Sequence, residues 1–174
     1  MANNIPDWCS RFVEYRKMAS GELLDPLLFN SLAPSSVCAL VLAHYESLRA
    51  DHDYCGTQHL LPAVLRVQDP VSLEVFSDFR LSIRRLRKAI LKLFPARPRW
   101  GVRRNYVPFT ECLLRSIAKA RSMARGKPIL PALLWLAAMS DEEAGAAMVC
   151  VHCGVDLREI RTALRRRTET AGKL

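Results

Sequence analysis

A chain of 174 residues, half of them apolar and a quarter charged, is long enough to bury a core and fold unaided, and too apolar to be a disordered tail. Its formal charge of +9, carried mostly by arginine, attracts acidic partners of any kind without naming one. No basic stretch followed by an apolar one opens the chain, and the longest apolar run, Ile129 to Met139, falls short of the roughly 20 residues that span a bilayer, so a cytoplasmic protein with no membrane partner is expected.

Residues 1–31 read as an N-terminal helical extension, because Trp8, Phe12 and Tyr15 recur at helical spacing and Leu23 to Phe29 follow as a second apolar stretch. Pro34 with Ser35 or Ser36 opens the next helix, since proline is tolerated in a first turn and serine can cap free amides; it runs to about Arg49. Asp51 to Gly56 form a loop rich in turn formers. Thr57 then opens a helix over about 58–66, Asp69 and Pro70 a third, and Phe79 breaks to a fourth that closes the unit at 94. Two prolines, a glycine and four arginines mark 95–107 as an exposed connection. The series then repeats over 108–167: Phe109 and Thr110 open a helix to about Ala124, Pro131 opens one over about 132–140, the acids Asp141, Glu142 and Glu143 lie where a third should begin, and Gly154 breaks to a fourth. Residues 168–174 read as a polar tail.

A shift of 74 residues lays one half on the other without a gap. Pro34, Cys38, Leu60, Ala63, Arg84 and Arg87 fall on Pro108, Cys112, Leu134, Ala137, Arg158 and Arg161. Leu81, Ile83, Leu86 and Ile90 fall on Val155, Leu157, Ile160 and Leu164, so each copy ends in an amphipathic helix. The period is too long for an ordinary solenoid repeat. The predicted fold is therefore all-α: two pseudo-twofold related four-helix repeats, 32–94 and 108–167, plus the N-terminal extension.

The stretch from Tyr54 through Gly56, Thr57, Gln58 and His59 to Leu61 resembles the Tyr-hydrophobic-Gly-Thr-Glu-His-Leu-Leu motif of the repeat found in the N-terminal domain of Clp-type AAA+ unfoldases. Phe109, Thr110 and Glu111 resemble that repeat's Phe-Thr-Glu opening, and Cys153 to Leu157 its Leu-Gly-Val-Asp-Leu. The resemblance implies a helical, non-catalytic docking module that brings protein substrates or adaptors to an ATP-driven unfoldase, with a Clp ATPase as a further partner and no cofactor. In some members the motif's Glu in each copy receives the guanidinium of phosphorylated arginine; the matching positions are Gln58 and Ala132, which lack the carboxylate for a charge-assisted pair. Gly-x-x-x-x-Gly-Lys-[Ser/Thr] is absent, so this chain is not expected to hydrolyse ATP.

Helix openings supply hydroxyls and free amides that can hold an anionic or peptide group, which makes Ser36, Thr57, Gln58, Thr110 and Glu111 the candidate peptide- or adaptor-binding residues. Cys150 and Cys153 form the only Cys-x-x-Cys, but the shift places them on Phe76 and Phe79, so they read as core rather than metal ligands. His59 falls opposite Leu133 and is expected against the core with one ring nitrogen satisfied by backbone; Trp135 is likewise expected inside. Two other readings stay open. One keeps the fold and makes the chain a free-standing Clp regulator or a sheath-gripping domain of a type VI secretion unfoldase. The other takes the arginine clusters as a nucleic-acid or acidic-surface binder, although no nucleic-acid motif accompanies them.

Overall fold

A computed structural model describes residue 9 and residues 13–96 and 107–171. The expected connection therefore lies largely outside the described residues, as do Trp8, Phe12 and 172–174. The described residues form ten helices: α1 (Val13–Ala19), α2 (Pro26–Asn30), α3 (Pro34–Arg49), α4 (Thr57–Val67), α5 (Pro70–Asp78), α6 (Ile83–Leu93), α7 (Glu111–Ala124), α8 (Pro131–Ala138), α9 (Gly145–His152) and α10 (Leu157–Ala171). Pro occupies the first turn of α2, α3, α5 and α8, where its missing N–H would have had no intrahelical partner. None of the helices is long and apolar enough to cross a membrane.

The 74-residue register holds at the backbone. α4, α5 and α6 correspond to α8, α9 and α10 to within a residue at their starts. Asp51 and Arg125, one register step apart, both adopt the left-handed conformation after the first helix of their copy (φ 57 and 49), and Arg80 and Gly154 do so before the last (φ 51 and 71). In the first copy the left-handed residue is thus Arg80, one position after Phe79, which only caps α5. α10 continues through Thr168 and Thr170 to Ala171, and their hydroxyls bond carbonyls one turn back along the helix.

Packing interleaves the copies. α5 of the first lies on α10 of the second, and α9 of the second lies on α4 and α6 of the first. Exchanging the copies turns the α5–α10 contact into the α9–α6 contact, which is the pseudo-twofold relation. At the centre Phe76 of α5 and Trp135 of α8 stack with ring centroids 4.0 Å apart and planes 12° from parallel, both buried. Cys150 and Cys153 are buried as expected; burial, and then the charge of Cys153, pushes the Cys150 thiol up to about 12. α3 is buried on nearly every face, because α1 packs on it from outside; Cys9 and Cys38 are both free and buried. α7, its counterpart, keeps a wet face with Glu111, Arg115, Ala118 and Lys119 exposed.

Candidate functional site

The helix openings are tied across copies by two short parallel pairings. Cys55 N–H donates to Pro108 O (2.8 Å) and Thr110 N–H to Cys55 O (3.0 Å), joining the segment before α4 to the segment before α7. Ile129 N–H donates to Ser31 O (2.8 Å) and Ala33 N–H to Ile129 O (3.0 Å), joining the segment before α8 to the segment before α3. Each pairing satisfies backbone groups that irregular chain would otherwise leave bare.

These pairings decide where the candidate residues sit. Thr57, Gln58, Thr110 and Glu111 gather around the first, and Ser36 stands at the second. Ser36 caps nothing: Ala33 is the cap residue of α3, and the Ser36 hydroxyl, fully buried, donates to Ile129 O. Thr57 is buried too, and its hydroxyl accepts from Ala146 N–H at 3.1 Å. It therefore caps α9, a helix of the other copy. That is a correction to the reading of Asp141, Glu142 and Glu143, which end before α9 begins; Asp141 instead accepts from Glu143 N–H in its own turn.

Gln58 is 3% exposed and donates from Nε2 to the Tyr54 hydroxyl at 3.3 Å. Its amide oxygen fills space left by two glycines: a Cβ at Gly56 or Gly145 would collide with it. Thr110 caps α7 by accepting from Leu113 N–H at 3.2 Å, and Glu111 is open to solvent, bridged to Arg115 at 3.1 Å. The rim of the pairing thus offers solvent a half-buried threonine and a carboxylate, while the Gln58 amide is packed between Tyr54 and the two glycines.

Behind it runs a chain of two imidazoles. Gly56 N–H donates to Nδ1 of His59 (3.0 Å), so the neutral ring carries its proton on Nε2, which donates to Nδ1 of His52 (2.7 Å); His52 Nε2 then donates to Phe94 O (2.7 Å). Burial holds His59 down at about 3, and the charges of His52 and His44 add to the effect. His44 is held at about 4 by burial, while its Nε2 meets the backbone of Val107, whose N–H donates to it at 2.8 Å. The backbone bond expected for His59 is present, and Trp135 is buried as expected. Among the described residues no group of three His, Cys, Asp or Glu is placed to hold a metal ion.

Three residues escaped sequence reasoning. Glu46 is buried, with a side chain 2% exposed, and binds Arg87 through both oxygens (2.8 and 2.6 Å) and Arg66 at 3.1 Å. Its counterpart under the shift is Ala120, so self-comparison passes over it; an acid amid the apolar run of α3 was the available signal.

The fold has known counterparts. Residues 34–128 match the family model described as the Clp repeat (R) N-terminal domain. A probable ATP-dependent Clp protease ATP-binding subunit of Chlamydia pneumoniae is 40% identical over 50 residues, covering 29% of this chain and only 6% of the relative. The crystal structure of the N-terminal domain of the caseinolytic protease associated chaperone ClpD from Arabidopsis thaliana superposes with a TM-score of 0.67, covering 80% of this chain and 96% of that one, at 17% identity.

Proposed function

Because the chain belongs to the Clp repeat (R) N-terminal domain family, we propose that it is a non-catalytic docking module that presents protein substrates or adaptors to a Clp-type ATPase in the cytoplasm. The observation that carries the proposal is the match over 34–128, which spans both segments of the first cross-copy pairing and the two helices they open. The chemistry at hand agrees with it. The hydroxyls of Ser36 and Thr57 and the rings of His44, His52 and His59 are all engaged within the fold, and such groups hold a shape rather than move protons for a substrate.

Docking is assigned to the rim of the first pairing, with Thr110 and Glu111 as the residues a partner touches. Gln58 and Thr57 are packed inside the fold, where they hold the start of α4 against α9, and Ser36 supports the second pairing. Gln58 carries no charge and is packed between glycines, so a phosphorylated arginine would find no carboxylate there.

Capture of partners on the immobilised chain tests the assignment. Glu111→Arg reverses the charge of an 82% exposed side chain that makes only a surface ion pair, so the fold should be unaffected. The expected result is loss of substrate or adaptor proteins that the parent chain retains. Recovery of the same partners by the variant would refute the rim as the docking place.

A further inference from the structure

From Phe79 to Thr110 the chain has ten Arg and Lys and no Asp or Glu. α6 carries half of that charge. It buries Leu86, Ala89 and Ile90 and turns Arg84, Arg85, Lys88, Leu91 and Lys92 outward. Leu91, within this cationic stripe, is 52% exposed. It forms one wall of a small cavity of about 90 Å³ that Glu46, Arg49, Ala50, Arg87 and Ile90 complete. Tyr45, one turn before Arg49 on α3, is 44% exposed, with the Arg66 guanidinium 5.3 Å from the centre of its ring.

The cavity is held in shape from two sides. The doubly bonded Glu46–Arg87 pair joins α3 to α6, and the His52 bond to Phe94 O fixes the last turn of α6 against the loop that follows α3. Glu46 spends its charge on Arg66 and Arg87, so Arg49, which lines the mouth, and Lys88, exposed one turn before Leu91 on α6, add positive charge around it. Its floor, Ile90 and Ala50, is apolar. The space is small and suits the end of a single leucine or isoleucine side chain.

We propose that this face docks an acidic peptide segment of a partner protein, which inserts one aliphatic side chain beside Leu91 and sets carboxylates on Arg49 and Lys88. Charge complementarity selects acid, and the apolar floor selects a peptide over a nucleic acid, whose phosphates would use the arginines and leave the cavity idle. The surface is separate from the rim around Thr110 and Glu111, and the inference does not depend on a Clp ATPase being the partner.

A fluorescein-labelled peptide of repeating Glu-Glu-Leu-Glu, read by anisotropy near physiological salt, tests it. The parent chain should bind with a micromolar Kd, and replacing the peptide's leucines by alanine should weaken binding about tenfold. Leu91→Ser and Arg49→Glu should each weaken it about tenfold or more, whereas Arg166→Glu, the same charge change on the exposed side of α10, should alter it less than about twofold. Unchanged melting temperatures would show that the variants are folded. Equal weakening by Arg166→Glu would overturn the proposal in favour of diffuse charge attraction, as would indifference to Leu91→Ser. Tighter binding of a labelled oligo-dT that Leu91→Ser leaves intact would overturn it in favour of nucleic acid. Because Glu111→Arg is predicted to bind the peptide normally, failure here and failure of the docking rim are read separately.

Discussion

Acidification from pH 7 to pH 5 should destabilise the folded chain by about 4 kcal/mol through two histidines. His59 is held at about 3 and His44 at about 4, against 6.5 for a free ring, burial being the first cause in both. In the unfolded chain each ring takes up a proton as pH falls through 6.5, while in the folded chain it stays neutral until pH 3 to 4. The unfolded state therefore binds more protons between those limits, and stability is full above 6.5 and lost as pH falls towards the folded values. Over the 1.5 units from 6.5 to 5 each ring loses about 2 kcal/mol, at roughly 1.4 kcal/mol per unit. Geometry adds to burial at His59, where a second proton would sit on Nδ1 and meet the N–H that Gly56 already donates. Urea unfolding followed by circular dichroism at the two pH values, in enough salt to screen the +9 charge, reads the difference directly. His44→Gln should remove about half of it by taking away one of the two titrating rings. Unfolding free energies that agree within about 1 kcal/mol between pH 7 and pH 5 would refute the reasoning.

Three further outcomes are expected. Trp135→Ala should cost about 3 to 5 kcal/mol in urea unfolding, because the ring is fully buried on Phe76, whereas Trp135→Phe should cost under about 1 kcal/mol, since the buried indole N–H it removes has no partner. Thr57→Val should cost about 1 kcal/mol and speed hydrogen exchange at the Ala146 amide in particular, the signature of a cap supplied across copies. Glu46→Ala should cost about 2 kcal/mol, less than a fully buried pair would, because Arg66 and Arg87 are about one-third exposed and can turn to water; Glu46→Gln should retain part of that stability by thermal unfolding.

The four-helix order of each copy was legible because a duplication exposes it: Asp51 and Arg125, or Arg80 and Gly154, take the same backbone turn although their side chains have little in common. Burial of Cys150 followed from the phenylalanine opposite it in the other copy, and that of Trp135 from its place inside a helix and the size of its ring. What the pattern left hidden is the crossing of the copies. A hydroxyl at a helix opening looks the same in sequence whether it caps its own helix, as Thr110 does, or another copy's, as Thr57 does, or bonds a distant carbonyl, as Ser36 does. Which applies depends on the pairing of Cys55 with Phe109 and of Leu32 with Ile129, contacts far apart in the chain. The same limit hid the wedging of Gln58 against Gly145 and the Glu46 ion pairs, neither of which is repeated in the other copy.

The docking role itself is tested most directly by fusing this chain to a Clp-type ATPase stripped of its own N-terminal domain and following ATP-dependent unfolding of a fluorescent substrate protein that carries the bound partner sequence. Restored unfolding that Glu111→Arg abolishes, with the ATPase rate unchanged, is the predicted result. Unfolding no faster than with the stripped ATPase alone would contradict a receptor role for the chain.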